Sequence, residues 1–566
     1  MVKLSEYELE REANIARNRA LLEQLELKQA VADLGIPTAS KKAAAKAKVK
    51  PVQHAKRVKK EKSELEVPRR QSSRLKRTIV DLDESPAKRQ KREAEFEVQR
   101  AKEAEERLEA EERARIANQP RTHDLDLATL ASEEDSQQVS ALSAALQALA
   151  NTHYPRRSGD PEAFVFDDHK KDKACLTELR GRLQSLKVVS RAKVTQDRIY
   201  SAAYHPEAAK DLIFFGDKHG QLGIWDARAP PDEVTDEDGE LIAEDAERGK
   251  YWRLQAHWPA TSKSSISSIK FDPSNAHNVY TSSYDCSVRC LSFTTGISRQ
   301  IYSTGDGTLI SNIDLTPNGN EMWISDGAGG ATHLDLREDG AKARWYALSN
   351  QKIGCISINP TRPHFLLTAS NNRTLKIWDA RQLQHISSRG PHTGHVQEQF
   401  HYETVSKFLE TKRGKSCLRA EWRHDKSVSS AYWDPRGRAI VSTSYDDTLR
   451  LWDIDSSTFE SSDPFPSSRP LSHLNHNCQT GKWLTILRAQ WSPNPDVYPH
   501  FTIGNMKHSL DIFSCKGDLV ARLADPARIS AVQAVTCSHP SIVERAASGN
   551  ASGRCVLWSI PDAGAV

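Results

Sequence analysis

The chain has 566 residues, 27% of them charged, and its 79 Lys and Arg exceed its 75 Asp and Glu by only four. Domains average roughly 100–200 residues, so more than one is expected. No apolar run approaches the ~20 residues of a membrane-spanning helix, and the opening MVKLSEYELERE has no apolar leader stretch, so a soluble chain outside the secretory route and without a membrane partner is expected.

Nine cysteines occur without a C-x-x-C pair. Five of them (Cys286, Cys290, Cys355, Cys537, Cys555) lie in strand-like runs and read as free buried thiols of a reducing compartment.

Residues 1–36 read as a helix. Ser5 and Glu8 fit a capping box, and the run continues without proline until Gly35-Ile36-Pro37. Residues 37–92 follow as a basic, disordered region. Between 41 and 92 stand 19 Lys and Arg against 6 Asp and Glu, too polar to bury a core. Its clusters PRRQSSRLKR (Arg69, Arg70, Arg74, Lys76, Arg77) and PAKRQKR (Lys88, Arg89, Lys91, Arg92) read as nuclear-import or nucleic-acid patches, the competing reading being a merely soluble tail. Ser85-Pro86 is a phosphorylation-type pair, where added negative charge would weaken phosphate binding. Residues 93–117 mix both charge signs at helical spacing but lack an apolar a/d seam, so an isolated charged helix is expected over a coiled coil. Residues 118–184 read as linker, with local helix at 138–150.

From 185 to 562 the chain turns to short β-type runs with an internal period. Prolines recur at 206, 273, 317, 360, 435, 493 and 540. Six of them follow apolar residues at seven, four and two positions before: Ile199/Ala202/Tyr204, Ile266/Ile269/Phe271, Ile310/Ile313/Leu315, Ile353/Ile356/Ile358, Val428/Ala431/Trp433 and Ile486/Ala489/Trp491. The seventh needs a shift of one residue. A Trp or apolar substitute follows each proline by 17 to 20 residues: Trp225, Leu291, Leu334, Trp378, Trp452, Phe513 and Trp558. Two landmarks held in step seven times resemble seven WD40 repeats, and the resemblance implies an all-β, seven-bladed β-propeller. WD40 repeats usually carry an Asp six residues before the Trp. Asp285 and Asp446 fit; His219, Ala328, Asn372, Lys507 and Ser552 stand there otherwise. Residues 185–194 are expected to supply the outer strand that closes the ring and removes a free sheet edge.

Two inserts lengthen the repeat. Residues 229–250 are strongly acidic; they fail the calcium-loop register and read either as a solvated loop or as a contact for a basic partner such as a histone. Residues 382–417 form the second insert and hold TKRGK at 411–415. No nucleotide-cradling Gly-rich loop appears, since GAGGAT at 327–332 matches neither fingerprint. The pairs His392/His395 and His473/His476 each offer two ligands without a nearby Cys or carboxylate set to complete a site, so no metal and no cofactor is expected. No nucleophile–base pair is offered by spacing, which argues against an enzyme.

In a propeller, the loops entering the inner strands and the turns at the Asp-type position share one face, here called the top. By register this face carries Arg198, Lys218, Lys263, Lys352, Arg423 and Lys426 with Tyr284 and Tyr445. Basic groups interleaved with aromatics suit a phosphate backbone and a stacking contact with a distorted base step. The competing reading is solvated cations with tyrosines packed at blade seams. The opposite rim carries Trp378-Asp379-Ala380-Arg381, echoed by Arg228 and loosely by Arg337. This resembles the WD-x-Arg box of substrate receptors of Cullin-4 ubiquitin ligases, whose arginine could take a partner carboxylate. The alternative is an internal ion pair with an acid of the neighbouring blade.

The N-terminal LSEYELEREANIARNRALLEQL, the RRQSSRLKR element and the propeller carrying LLTASNNRTLKIWDARQL together resemble fungal DNA damage-binding WD-repeat proteins of the changed-mutation-rate type. The propeller also resembles that of the small subunit of the UV-damaged-DNA-binding complex. The resemblance implies a nuclear, chromatin-associated protein that binds DNA, single-stranded DNA included, and prefers UV-damaged DNA. Two functions therefore stand: non-enzymatic DNA binding by tail and top face, or a protein-interaction scaffold such as a ubiquitin-ligase receptor or chromatin hub.

Overall fold

Six of the seven inner strands begin with a β-branched aliphatic, and all end before a turn proline, so each offers an apolar face to the neighbouring sheet and stops without an unmet ladder bond. The computed structural model describes residues 121–561 apart from 132–135, 231–248, 339–341, 387–397, 462 and 466–468, with isolated residues between 99 and 119. The expected N-terminal helix, the basic clusters, nearly all of the charged 93–117 segment and the acids of the 229–250 insert lie outside the described residues.

The described chain is a seven-bladed propeller. The inner strands are Ile199–Tyr204, Ile266–Phe271, Ile310–Leu315, Ile353–Ile358, Val428–Trp433, Gln490–Trp491 and Val535–Ser538. They touch in succession, blade 1 to blade 2 and onward, and the last returns to the first. Ile199, Ile266, Ile310, Ile353 and Val428 are fully buried in the seams between blades. Closure is made as expected: Lys187–Lys193 pairs antiparallel with Arg554–Ser559 and becomes the outer strand of blade 7.

The turn between the second and third strands is alike in all seven blades. It holds one left-handed residue five positions before the Trp-type residue: Gly220, Cys286, Gly329, Arg373, Asp447, His508 and Gly553, with φ between 60° and 94°. This is the three-residue hairpin loop in which a type I turn is followed by a left-handed residue. Glycine is required at 553, where a Cβ would stand 2.1 Å from the Thr195 carbonyl oxygen beside the closing strand.

Two side-chain patterns secure this turn. In blades 2, 4 and 5 the expected position is used: Asp285 Oδ1 accepts from the Ser287 amide, Asn372 Oδ1 from Thr374, and Asp446 Oδ1 from the Thr448 hydroxyl. In blades 1, 3, 6 and 7 the acceptor sits two residues earlier. Asp217 Oδ1 takes the amides of His219 and Gln221, and Asp326 Oδ1 those of Ala328 and Gly330. Asn505 takes that of Lys507, and Asn550 those of Ser552 and Arg554. The polar device missing by sequence spacing from five blades is therefore present, supplied by Asn372 at the usual position in one and displaced by two residues in the other four.

The linker reading of 118–184 is corrected. Leu125–Asp126 adds a fifth strand to the outer edge of blade 2. The helix Ser136–Leu149, close to the expected 138–150, buries Leu142, Leu146 and Leu149 at helical spacing. A strap then crosses the lower mouth: the amides of Tyr154, Arg156 and Gly159 donate to the carbonyls of Asn275, Pro273 and Pro435. The helix His169–Gln184 lies on blade 6, where Asp172 accepts from Tyr498 and pairs with Lys516 at 2.7 Å. Leucines spaced three and four apart drive this docking; without a landmark they looked like ordinary linker composition. The second insert is also ordered in part, since Glu398–Phe400 pairs in parallel with the outer strand of blade 3 and Tyr402–Glu410 is helical.

Asp217 yields a test of the displaced turn device. Burial pushes its carboxyl up to about 6, and its Oδ2 has no hydrogen-bond partner. A raised carboxyl destabilises the fold as pH climbs from the unfolded value toward and past the folded one. Asp217→Asn is therefore expected to raise stability at pH 7.5 by roughly 1–3 kcal/mol. The gain should vanish below about pH 4, where both states hold the proton; thermal unfolding at the two pH values checks it.

Candidate nucleic-acid interface at the upper mouth

In blades 1 to 5 a backbone bond holds the three-residue turn against the loop entering the same blade, so the two segments read as top-face from the sequence are joined there. The Lys218 amide donates to the Arg198 carbonyl, Tyr284 to Ser265, Asn371 to Lys352 and Tyr445 to Ser427. Ser265 Oγ donates in turn to the Lys218 carbonyl and ties blade 1 to blade 2.

Side chains then meet across the mouth. The Arg198 guanidinium lies 5.4 Å from the centre of the Tyr200 ring, Tyr200 meets Tyr284 edge-on at 6.2 Å, and Lys352 Nζ stands 4.9 Å from the Tyr284 ring. One chain of cation–π and aromatic contacts thus runs from blade 1 through blade 2 to blade 4. Burial raises the Tyr200 phenol, with Arg198 opposing, so the ring stays neutral. Lys263 projects from a short 3-10 turn at Ser262–Ser264 and is exposed.

Arg423, Lys426 and Tyr445 form a second group on blades 4 and 5. Arg423 and Lys426 are exposed, and the Tyr445 hydroxyl reaches Thr480 at 3.5 Å. Beneath them burial pushes the His424 imidazole down, and its neutral ring bridges Asp446 at 3.0 Å and Ser442 at 3.0 Å. Burial opposes ionisation of Asp446, but bonds from Thr448 and His424 hold its carboxyl at about 2. Acid is present here too: exposed Asp425 lies 3.5 Å from Arg450.

Sequence reasoning missed Trp483. It is 86% exposed in the loop entering blade 6, beside Lys482, whose carbonyl accepts from Arg198 Nη1 at 3.0 Å. The signal was there in TGKW, two residues before the register position that Arg198 and Lys352 occupy in their blades. Among the described residues, no three or more His, Cys, Asp or Glu side chains gather as a metal site.

The lower rim differs. Arg381 folds onto its own Asp379, with Nε and Nη2 at 3.0 and 2.6 Å from the two carboxylate oxygens, and its side chain stays 59% exposed. Arg337 does the same with Asp335, whose carboxyl it holds at about 2. Arg228 instead reaches the fully buried Asp211, to which Tyr204 also donates and Arg545 approaches at 3.2 Å. The expected acid of a neighbouring blade is thus, in all three cases, an acid of the arginine's own blade.

The description "WD domain, G-beta repeat" matches residues 250–292, 346–379 and 415–453. These stretches hold Asp285, Asn372 and Asp446, the three turns secured at the usual position. Over most of its length the chain is 37% identical to DNA damage-binding protein CMR1 of Cryptococcus neoformans, covering 86% of this chain and 89% of that protein. The chain belongs to the CMR1 family. Further members are the CMR1 proteins of Mycosarcoma maydis, 30% identical over 99% of this chain and all of that protein, and of Emericella nidulans, 34% identical with the same coverage.

The rim arginines make a stability test. Arg228→Ala leaves Asp211 buried with only Arg545 as cation, so a loss of roughly 2–4 kcal/mol is expected, below the ~3–5 of a wholly abandoned buried charge. Arg381→Ala removes a pair whose arginine is 59% exposed although its Asp379 is buried, so solvent can reach the vacated side and a smaller loss, of about 1–2 kcal/mol, is expected. Urea unfolding of the two variants side by side checks the contrast.

Proposed function

We propose that the upper mouth binds DNA without catalysing a reaction and favours duplex that is already distorted, as by ultraviolet lesions, in the nucleus. The single observation that carries this reading is the unbroken contact chain Arg198–Tyr200–Tyr284–Lys352, with Lys482 and Trp483 at its end. Cations at this spacing suit successive phosphates, and an exposed indole suits an unstacked base. Distorted steps cost less to open, so a stacking side chain converts deformability into selectivity. The names of the CMR1 relatives, which speak of DNA damage binding, support the same reading. The basic clusters of 69–92 would add affinity without sequence preference, and chromatin is the setting such a tail fits.

A second reading rests on the exposure of Arg381 and Arg337, 59% and 62%, at the lower rim. A carboxylate on a ubiquitin-ligase adaptor could displace the internal Asp there. Arg228 is withdrawn from that role by its buried pairing. The two readings use opposite mouths and are compatible.

The test measures duplex binding by the full chain across a salt series. Reversal of Arg198, Lys218 and Lys352 to Glu should weaken binding at least about tenfold near 0.1 M salt and flatten the slope of log K against log salt by about 2–3. Trp483→Ala should leave that slope unchanged and lower the preference for irradiated over intact duplex by roughly 5-fold or more. Unchanged affinity in the triple variant would sink the DNA reading of this mouth.

A further inference from the structure

The inner strands of a propeller line its channel, and here the segment entering one of them delivers a cation that pairs with no carboxylate among the described residues. A cavity of about 70 Å³ inside the channel is lined by Tyr200, Ser268, Asn312, Tyr432, Arg488 and Gln490, among others. Arg488 lies in the segment leading into the inner strand of blade 6. The residues five positions before the turn prolines of blades 1, 2, 3, 4 and 5 are Ser201, Ser268, Asn312, Cys355 and Ser430, so Arg488 brings the charge to a level that these neighbours leave neutral.

The guanidinium is poorly satisfied. Nη1 donates to the Ser267 carbonyl at a long 3.4 Å and the guanidinium also meets the neutral Tyr432 hydroxyl, while Nε is sealed from solvent and has no hydrogen-bond partner. The channel's acid at the next level, Asp314, is already taken by Lys270 at 3.1 Å and approached by Arg156 at 3.9 Å. A buried guanidinium without a carboxylate is costly unless something else supplies negative charge.

We propose that the channel is a binding site for a single phosphate group, with Arg488 as its fork. A planar guanidinium can present its two terminal nitrogens, Nη1 and Nη2, to two oxygens of a tetrahedral oxyanion at once. The Tyr432 hydroxyl, the Gln490 amide and the Ser268 hydroxyl stand on the same cavity as further donors. Room is sufficient: one water needs only about 10–15 Å³ on this scale, and the cavity has about 70 Å³. The strap Tyr154–Arg157 lines the cavity below it, at the proline turns, so the phosphate enters from the upper mouth, past Arg198 and Lys352. The site is independent of the DNA reading, since it takes one small anion or one chain terminus and not a duplex. Its phosphate has two sources, free inorganic phosphate or the 5′-phosphate of a nucleic-acid end.

The experiment follows thermal unfolding of the full chain in phosphate against chloride at equal ionic strength, for the native protein and Arg488→Gln. The basic tail is present in both, so its phosphate binding cancels, as does general salting by phosphate. A saturable rise in Tm of about 2 °C or more in millimolar phosphate is expected for the native chain, with at least a tenfold weaker midpoint in Arg488→Gln. In chloride alone Arg488→Gln should unfold no earlier than the native chain, because it removes an unpaired buried charge. Arg488→Lys keeps charge but loses the fork and should also bind tenfold more weakly, which decides the matter if the Gln variant fails to fold. A 5′-phosphorylated dinucleotide and its 5′-hydroxyl form separate the sources. Arg488-dependent stabilisation by the phosphorylated form at lower concentration than phosphate assigns a chain terminus, and stabilisation by phosphate alone assigns the free anion. An equal rise in native and Arg488 variants, or no rise in the native chain, overturns the proposal.

Discussion

Six paired positions between Lys187–Lys193 and Arg554–Ser559 decide the shape of the described chain. Without them blade 7 would end on an unpaired edge and the ring would have no reason to shut. With them, the first inner strand is pressed against the last, and every loop at the upper mouth is held at a fixed distance from the centre. Gly553 shows how tightly this joint is made, since the backbone of Thr195 leaves no space for a Cβ beside it. Contacts that skip a blade follow from closure: Tyr284 of blade 2 can meet Lys352 of blade 4, and Arg198 of blade 1 can reach Lys482 at blade 6, only on a closed ring.

Closure also gives the two mouths different characters. The upper one is open, cationic and aromatic. The lower one is crossed by the strap around Tyr154–Gly159, whose amides use the carbonyls of the proline turns. Arginines follow the same division. At the top, Arg198 leaves its fork partly free beside a ring. At the bottom, Arg228 is sunk against Asp211 and works for the fold, while Arg381 rests on Asp379 and helps to close the turn after the Trp-Asp pair.

How much of this the sequence disclosed depends on range. The blades were legible because each proline and its apolar trio express local rules: strand alternation, a turn, a buried Trp. Joining of Arg198, Lys218, Tyr284 and Lys352 at one mouth was legible through register alone. The displaced acceptors Asp217, Asp326, Asn505 and Asn550 stand off the usual Asp position and so carry no spacing signal, although the left-handed residue fixes the turn and either position can supply the acceptor. The strap and its helices were hidden for another reason. Their leucines are paired with surfaces of blades 1, 2 and 6, hundreds of residues away in the chain in some cases, and nothing local marks them. Partners of single side chains, such as Asp211 for Arg228 or the missing one for Arg488, are likewise set by tertiary packing.

In the function proposed above, the closed ring presents its upper mouth to DNA. Hydrogen–deuterium exchange of the full chain with and without irradiated duplex tests it most directly. Slowed exchange is expected in the loops around Arg198, Lys263, Tyr284, Lys352 and Trp483, with the proline turns and the strap below unchanged. Protection confined to the lower turns, or to residues before 93, would contradict it.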